Sequence, residues 1–243
     1  MQIRIEVTIS FEAGFNIGSG AMGGALARRP LALDWRGLPY IPASSFKGRL
    51  RHTCKQLAEG LDYPTCREPE AQTMCPNGPM GAGYCLICYL FGSPGRPSPL
   101  TFSDLPLVQP EFLTEKVMSL PTSLRYGVGL SRRRRVAADN LLYDTEVFLP
   151  GGPVSFAGEI QGRLAGRGEA GSENVIGSDK IQVQPDRAGL GLLVAGLENL
   201  VTLGRGKTAG LGWFQPNFEV YEVKADHAER PLARDDIKKW WLG

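Results

Sequence analysis

Apolar and polar residues alternate along the first strand that the sequence predicts. In the segment QIRIEVTISFEA the apolar side chains of Ile3, Ile5, Val7 and Ile9 are separated by polar neighbours. A period of two is typical of a strand with one buried face, because successive side chains point to opposite sides of a sheet. The segment FEVYEV near the carboxyl end has the same alternation, so we expect a second such strand there.

A helical period replaces this alternation over residues 44 to about 60. Apolar residues recur there at spacings of three and four and form one stripe, namely Phe46, Leu50, Cys54, Leu57 and Leu61. A parallel stripe on another face of the same helix is basic, and its members are Lys47, Arg51 and Lys55. The pattern predicts a helix that buries one face and presents positive charge on another.

Shorter segments predict the remaining elements. We expect short strands at YLFG (89–92) and LTFSDLPLV (100–108), longer strands at LLYDTEVFLP and VSFAGEIQG, and a flexible loop at 163–180. The segment GLGLLVAGLENLVTLG is apolar and has the length of a helix. The order strand, helix, strands, helix, strand predicts an α+β fold, a ferredoxin-like or RNA-recognition-type αβ sandwich, with insertions at 62–100 and 120–146.

Length and composition favour one elaborated domain that spans residues 1–243. A chain of 243 residues with 42% hydrophobic and 21% charged residues is ordinary for a soluble globular protein. No apolar run approaches the roughly 20 residues of a membrane-spanning helix, and the amino terminus lacks a signal-peptide core, so we expect a cytosolic protein without a membrane partner. The net charge is only +2, but the basic residues are clustered, which suits local phosphate binding.

The segment GLPYIPASSFKGRLRHTC (37–54) concentrates positive charge at the start of the predicted helix. Pro39 and Pro42 keep the approach extended, and Ser44 or Ser45 is expected to cap the helix. The first-turn amides of a helix lack intrahelical partners, and an anion there also gains from the helix dipole. The stretch therefore predicts a phosphate site whose cations are Lys47, Arg49 and Arg51. The alternative is a capped surface helix with solvated basic residues.

A second basic segment, LGRGKTAGLGWF (203–214), follows the predicted second helix. Arg205 and Lys207 lie among four glycines, namely Gly204, Gly206, Gly210 and Gly212. Glycines permit positive φ and close backbone approach, so amides and two cations can converge on a phosphodiester. The spacing is not that of a Walker loop, and no helix follows as in a dinucleotide fingerprint. A glycine helix cap with a glycine-rich turn is the simpler alternative.

Four of the five cysteines fall in the loop-rich insertion, namely Cys66, Cys75, Cys85 and Cys88. In a reducing compartment clustered thiols are more typical of metal sites than of disulfides. Four thiolates can close a tetrahedral site, so we expect structural zinc, with His52 as a competing ligand and unligated thiols as the alternative. Cys54 belongs to the apolar stripe of the helix and is expected to be a buried thiol.

Together these motifs resemble the RAMP superfamily of CRISPR-associated proteins, and in particular the backbone subunits of type III RNA-guided effector complexes. LPYIPASSFKGRLR and GRGKTAGLG are similar to the two family motifs, with Ala43 where the first motif usually has glycine. CLICYLFGS, LTFSD and LPGGPVSFAGEI resemble three further family segments in the expected order. The resemblance covers most of the chain.

The resemblance implies a protein that holds guide RNA, faces target RNA, stacks on similar subunits and joins the large and small subunits of such a complex. RYGVGLSRRRRVAADN resembles a β-hairpin thumb that folds over the guide. Its candidate RNA contacts are arginines, whose planar guanidinium pairs with phosphates and stacks on bases. They are Arg125, Arg132, Arg133, Arg134 and Arg135.

Family members commonly cut target RNA with an aspartate in the loop after the first strand, assisted by a divalent metal such as Mg²⁺. Matching Pro30 to the family proline places that position at Arg28 or a near neighbour, and no acid lies between Glu12 and Asp34. Without a carboxylate to anchor the metal, we expect a non-cleaving subunit whose Arg28 and Arg29 hold phosphates. The alternative is an active endoribonuclease that uses Asp34.

A third reading is a free-standing, zinc-stabilised RNA-binding protein of the recognition-motif type. The sequence lacks the aromatic strand of that module, which counts against it. Trp240 and Trp241 in the segment DDIKKWWLG leave two alternatives open, docking on a neighbouring subunit or packing in the chain's own core.

Overall fold

The computed structural model describes residues 1–18, 20, 29–70, 72–77, 83–108, 120–166, 175–176 and 184–242; for residues 138–140, 175–176 and 241–242 only the backbone is described. The helices are α1 (Ala43–Gly60), α2 (Leu86–Phe91), α3 (Pro185–Glu198) and α4 (Arg234–Leu242), with one 3₁₀ turn at Lys207–Ala209. The first six strands are β1 (Gln2–Phe11), β2 (Tyr40–Ile41), β3 (Tyr84–Cys85), β4 (Leu100–Phe102), β5 (Leu105–Pro106) and β6 (Thr122–Ser131). The others are β7 (Val136–Phe148), β8 (Val154–Arg163), β9 (Val175–Ile176), β10 (Phe214–Val223) and β11 (Glu229–Pro231).

A mixed α+β fold is built on a five-stranded sheet with the order β11–β10–β1–β8–β4. Every neighbouring pair in this sheet is antiparallel, and β1 pairs with β10 on one side and β8 on the other along its full length. The alternation predicted for β1 is observed, since Ile3, Ile5, Val7 and Ile9 are all buried. Their side chains belong to the same hydrophobic core as α1 and α3.

Helix α1 buries the predicted stripe at Phe46, Leu50 and Cys54, but Leu61 lies beyond the helix end and is 46% exposed. Helix α3 crosses α1 closely at Gly196, where a Cβ would lie 2.3 Å from Cys54 Sγ. A larger residue there would separate the helices. Because α3 packs on both α1 and α4, it is apolar almost all round.

The prediction of a strand at YLFG is wrong, because residues 89–91 belong to helix α2. All six residues of α2 are buried, so the segment carries no polar positions from which a period could be read. The expected helix cap by Ser44 or Ser45 is also wrong, since the N-cap is Pro42 and both serines lie in the first turn of α1.

Two antiparallel strands, β6 and β7, form a hairpin outside the main sheet. Its base joins the loop after β1 through reciprocal backbone hydrogen bonds between Phe15 and Phe148, with N–O distances of 3.1 and 2.9 Å. The predicted loop at 163–180 lies largely outside the described residues. The short strand β9 within it pairs with β3 beside Cys85.

At the carboxyl end, Trp240 packs against the hydrophobic core, and the Arg187 guanidinium lies 5.4 Å from its ring centroid. The Trp240 side chain therefore contacts its own chain, whereas the side chain of Trp241 is outside the described residues. None of the helices in the described part of the chain has the length and apolar composition needed to cross a bilayer.

Candidate nucleic-acid interface and metal centre

A groove of about 550 Å³ separates the first two turns of α1 from the glycine-rich segment after α3. We call it the α1 groove. Its walls bring together parts of the chain that are distant in sequence, and its lining residues are Ile17, Gly18, Gly20, Pro42, Ser44, Ser45, Gly48, Arg49, His52, Leu203, Gly204, Arg205 and Lys207. None of these lining residues is acidic.

The first turn of α1 forms one wall of the α1 groove. The Asp104 carboxylate accepts a hydrogen bond from the Ala43 amide at 2.7 Å, and this stabilises the helix start in place of a serine cap. Ser44 is exposed and Ser45 is half-buried, and both line the groove. Their hydroxyls are therefore placed to contact a bound ligand.

The glycine-rich segment forms the opposite wall, and Gly204, Gly206, Gly210 and Gly212 all have positive φ. Gly204 lies so close to the loop after β1 that a Cβ would be 2.2 Å from the Asn16 carbonyl oxygen. This same oxygen accepts a hydrogen bond from the Arg205 amide at 2.9 Å. The turn thus depends on glycine both for its backbone conformation and for its close contact with the loop.

Three cations, those of Arg49, Arg205 and Lys207, converge on the α1 groove. Arg49 donates to the carbonyl and the hydroxyl of Thr202, each at 3.3 Å, and so it bridges the two walls. Burial lowers the pKa of Lys207, and the nearby Arg49 charge lowers it further. This repulsion between like charges favours an anion in the groove.

Lys47 and Arg51 do not line the α1 groove. The Lys47 ammonium lies 5.3 Å from the ring centroid of Phe102, and burial followed by repulsion from Arg51 lowers its pKa. Arg51 lines a second depression of about 340 Å³ together with basic and acidic residues further along α1. Gly48 and His52 line both, so the depressions adjoin on the surface of α1.

The structure places the loop residues of the predicted site in two different environments. Arg29 is half-buried at the base of the hairpin, and its guanidinium lies 4.1 Å from the ring centroid of Tyr143. The predicted contact at Arg28 lies outside the described residues. Two residues that the sequence analysis did not single out, Asn16 and Glu146, connect the loop after β1 to the hairpin. The buried Asn16 side chain donates a hydrogen bond to the Glu146 carbonyl at 2.6 Å, and the Glu146 carboxylate accepts one from the Leu31 amide at 3.1 Å.

Asp34 is part of a turn. Its carboxylate accepts hydrogen bonds from the Leu38 amide at 2.9 Å and from the Arg36 guanidinium at 3.0 and 2.9 Å. Burial opposes ionisation, but the hydrogen bonds from Leu38 and Arg36 outweigh it and lower the pKa of Asp34. Both carboxylate oxygens are thus engaged in local structure, which leaves Asp34 poorly suited to anchor a catalytic metal.

The arginines of the hairpin do not line the α1 groove. Arg132 to Arg135 form the exposed turn between β6 and β7, where the Ser131 carbonyl accepts from the Arg135 amide at 2.7 Å. Arg125 is also exposed and lies opposite Thr145 in β7. These five side chains are available to a ligand that extends beyond the groove.

The four insertion cysteines form one buried cluster. The sulfur atoms of Cys66, Cys75, Cys85 and Cys88 all lie within 4.8 Å of one another. The sulfur atoms of Cys66 and Cys88 are 3.4 Å apart, and those of Cys85 and Cys66 are 3.8 Å apart. A tetrahedral zinc with Zn–S bonds of about 2.3 Å has sulfur–sulfur edges of about 3.8 Å, so the cluster fits that ion.

Burial raises the pKa of the Cys75 thiol to about 12, whereas the hydrogen bond from Cys88 lowers the pKa of the Cys85 thiol to about 5. A cation beside the four sulfur atoms favours their thiolate forms. A divalent ion such as zinc supplies that charge and crosslinks four positions between residues 66 and 88. His52 is exposed and lines both depressions, and it is not among the grouped ligands. Cys54 is buried as predicted, and its Sγ lies 3.6 Å from the Leu192 carbonyl oxygen.

Comparison of the sequence with models of known protein families gives one family. A sequence model of the RAMP superfamily matches residues 9–215. The matched range includes both walls of the α1 groove, the cysteine cluster and the hairpin. A comparison with curated proteins gives no match.

Proposed function

The chain belongs to the RAMP superfamily, and from this premise we propose that it is a guide-RNA-binding backbone subunit of a type III CRISPR effector complex. The α1 groove is the observation that carries the proposal. It combines three cations, two serine hydroxyls and glycine backbone, and its lining contains no carboxylate among the described residues. Such a lining suits a sugar-phosphate chain and carries little means of reading base sequence.

The strand order supports the finer fold assignment. In the core unit β1–α1–β4–β8–α3–β10 the two helices follow β1 and β8, and these strands lie side by side in the centre of the sheet. This order supports a ferredoxin-like sandwich. A single core that includes both Ile3 and Ile237 supports one domain with insertions at 62–100 and 120–146.

In the proposed complex the hairpin acts as a thumb. Its exposed arginines, Arg125 and Arg132 to Arg135, contact RNA beyond the groove, and Arg29 at its base is a further phosphate contact. Guide and target RNA are the nucleic-acid partners, and further RAMP subunits and the large and small subunits are the protein partners. A prokaryotic cytoplasmic location follows from these partners. Zinc has a structural role at the four cysteines.

We propose that the subunit does not cut RNA itself. Within the described residues the groove lining offers no carboxylate, and Asp34 is committed to its turn with Arg36 and Leu38. The reconstituted complex with Mg²⁺ provides the test. Target cuts that require Mg²⁺ and disappear in Asp34→Ala would establish the endoribonuclease alternative, whereas cutting that is insensitive to Asp34→Ala or absent supports a binding role.

The open face of the sheet argues against a recognition-motif protein. In that module aromatic side chains on the sheet stack on bases. Here Tyr221 donates its hydroxyl to Glu219 and lies beneath Arg4, which pairs with Glu159 at 3.1 Å. A face that carries these carboxylates repels phosphates, so RNA is expected at the α1 groove instead.

RNA binding by groove variants tests the proposal. Arg49→Gln and Lys207→Gln are each expected to weaken binding of single-stranded RNA about tenfold and to reduce the slope of log affinity against log salt by about one. Arg230→Gln is the matched control, because Arg230 is exposed on β11 near the other end of β10. The proposal fails if Arg49→Gln and Lys207→Gln bind RNA as tightly as the control.

A further inference from the structure

Arg51 is directed to the cysteine-rich insertion, away from the α1 groove. Residues two apart on an α-helix are separated by about 200°, so Arg49 and Arg51 lie on nearly opposite faces of α1. The Arg51 side chain is only 20% exposed, although it belongs to the basic stripe of the sequence. Its position is thus that of a packed residue at the junction between α1 and the insertion.

The three acceptors of the Arg51 guanidinium all belong to this insertion. Nη1 donates to the Gly92 carbonyl at 2.7 Å, and Nη2 pairs with the Glu68 carboxylate. Nη2 also lies 3.8 Å from Cys88 Sγ, within reach of a hydrogen bond to sulfur. Glu68 follows Cys66 by two residues and Gly92 follows Cys88 by four. A single guanidinium therefore holds the chain next to two of the four clustered cysteines.

The charge of the cluster explains why a guanidinium suits this position. Four thiolates around one divalent ion carry a net charge of about −2, and burial makes such a charge unfavourable unless a cation lies beside it. Arginine remains protonated next to a metal site and can donate to several acceptors at once. Outer partners of this kind orient metal ligands and raise metal affinity.

We infer that Arg51 is a positioning residue of the metal centre, where it stabilises the Cys88 thiolate and fixes both ends of the insertion to α1, and that it is not an RNA contact. The geometry thereby divides the basic residues at the start of α1 between two tasks. Arg49 faces the groove and the proposed RNA, while Arg51 faces the thiolates. The metal part of the inference is independent of the proposed RNA function, and only the second readout below depends on it.

Metal affinity is the first readout. In competition with a chromophoric chelator, Arg51→Gln is expected to bind Zn²⁺ about 10-fold to 100-fold more weakly than wild type, whereas Arg49→Gln binds it equally well. In the Co²⁺-substituted protein, loss of the cation destabilises the sulfur lone pairs, so the sulfur-to-cobalt charge-transfer band of Arg51→Gln moves to longer wavelength. A wild-type Zn²⁺ affinity and band position in Arg51→Gln would overturn the inference, as would failure of the wild-type chain to bind Zn²⁺.

RNA affinity at saturating Zn²⁺ is the second readout. Arg51→Gln is expected to remain within about twofold of wild type, and Arg49→Gln to lose about tenfold. An equal loss in both variants would overturn the separation of tasks. If no variant and not even the wild type binds RNA, the proposed function fails while the Zn²⁺ readout still decides the role of Arg51.

Arg51→Lys keeps the inference testable if Arg51→Gln does not fold. Lysine retains the charge, but it lacks the planar guanidinium whose two terminal nitrogens reach Gly92 on one side and Glu68 and Cys88 on the other. We expect the Zn²⁺ affinity of Arg51→Lys to lie between those of wild type and Arg51→Gln. If Arg51→Gln does not fold, the Zn²⁺ affinity of Arg51→Lys is expected to be several-fold below that of wild type. Wild-type Zn²⁺ affinity in a folded Arg51→Lys protein would refute the requirement for the guanidinium.

Discussion

Replacing Gly204 with alanine is expected to destabilise the protein far more than replacing Gly210, although the two glycines have nearly the same conformation. Their φ angles are +89° and +80°. They differ in their surroundings, because a Cβ at Gly204 would lie 2.2 Å from the Asn16 carbonyl oxygen, whereas a Cβ at Gly210 meets no atom within 4 Å. The pair thus separates the effect of close approach from that of backbone conformation.

The expected magnitudes follow from these contacts. A left-handed conformation costs an alanine about 1–2 kcal/mol, partly offset by its lower entropy in the unfolded chain, so Gly210→Ala should lower the free energy of unfolding by about 1 kcal/mol. Gly204→Ala must in addition move the turn roughly 1 Å from Asn16 to reach van der Waals distance. This breaks the 2.9 Å hydrogen bond from the Arg205 amide to a buried carbonyl. Leaving that acceptor unpaired adds about 1–3 kcal/mol, for a total of about 3 kcal/mol.

Urea unfolding followed by circular dichroism measures both variants against wild type. For a chain of this length the melting temperature should fall by about 2–4 °C per kcal/mol, so a thermal scan provides a second measure. Gly204→Ala should also weaken RNA binding, because it displaces Arg205 from the α1 groove, and Gly210→Ala should not. The reasoning is refuted if the two substitutions lower the free energy of unfolding by the same amount, or if Gly210→Ala has the larger effect.

Two further predictions concern the cysteine cluster and Asp34. Elemental analysis is expected to find one Zn²⁺ per chain in wild type and in Cys54→Ala. Cys75→Ser is expected to lose the ion, and its free energy of unfolding should fall by about 2–5 kcal/mol. Retention of Zn²⁺ by Cys75→Ser would contradict a site of four thiolates. The pKa of Asp34 is lower in the folded protein than the value of 3.8 expected in the unfolded chain. Its ionised form therefore stabilises the fold at pH values above 3.8, and this contribution is lost as the pH falls through the pKa of the folded state. Asp34→Asn should therefore be less stable than wild type near neutral pH, and the difference between their urea midpoints should disappear in acid. A difference in urea midpoint that does not depend on pH would disprove the stabilising role of the ionised Asp34 carboxylate.

Much of the core and the cysteine cluster was predictable, because both depend on local patterns. The period of two in β1 and the spacing of three and four in α1 identify the faces that are buried. The cysteines were predictable as a group because few other uses suit four thiols in a loop-rich segment. The strand predicted at YLFG was wrong because a fully buried six-residue segment has no polar face and therefore no period.

The capping prediction shows the limit of local rules. Serine is a common helix cap, but here Asp104, which lies 61 residues further along the chain, accepts the Ala43 hydrogen bond. Ser44 and Ser45 are thereby left to line the α1 groove. No local pattern around the helix start identifies Asp104, because its position depends on how β4 packs beside α1 and how β5 pairs with β2.

The sequence by itself determined which residues are apolar, which are basic and where the backbone can take positive φ. It did not determine which basic residue serves which site, since a helix has several polar faces and its period alone does not say what each face meets. Packing of the insertion against one face of α1 and of the glycine-rich turn against another decided that Arg51 contacts Cys88 while Arg49 contacts Thr202. Contacts between residues so far apart in the chain exist only after the core of β1, α1 and α3 has assembled.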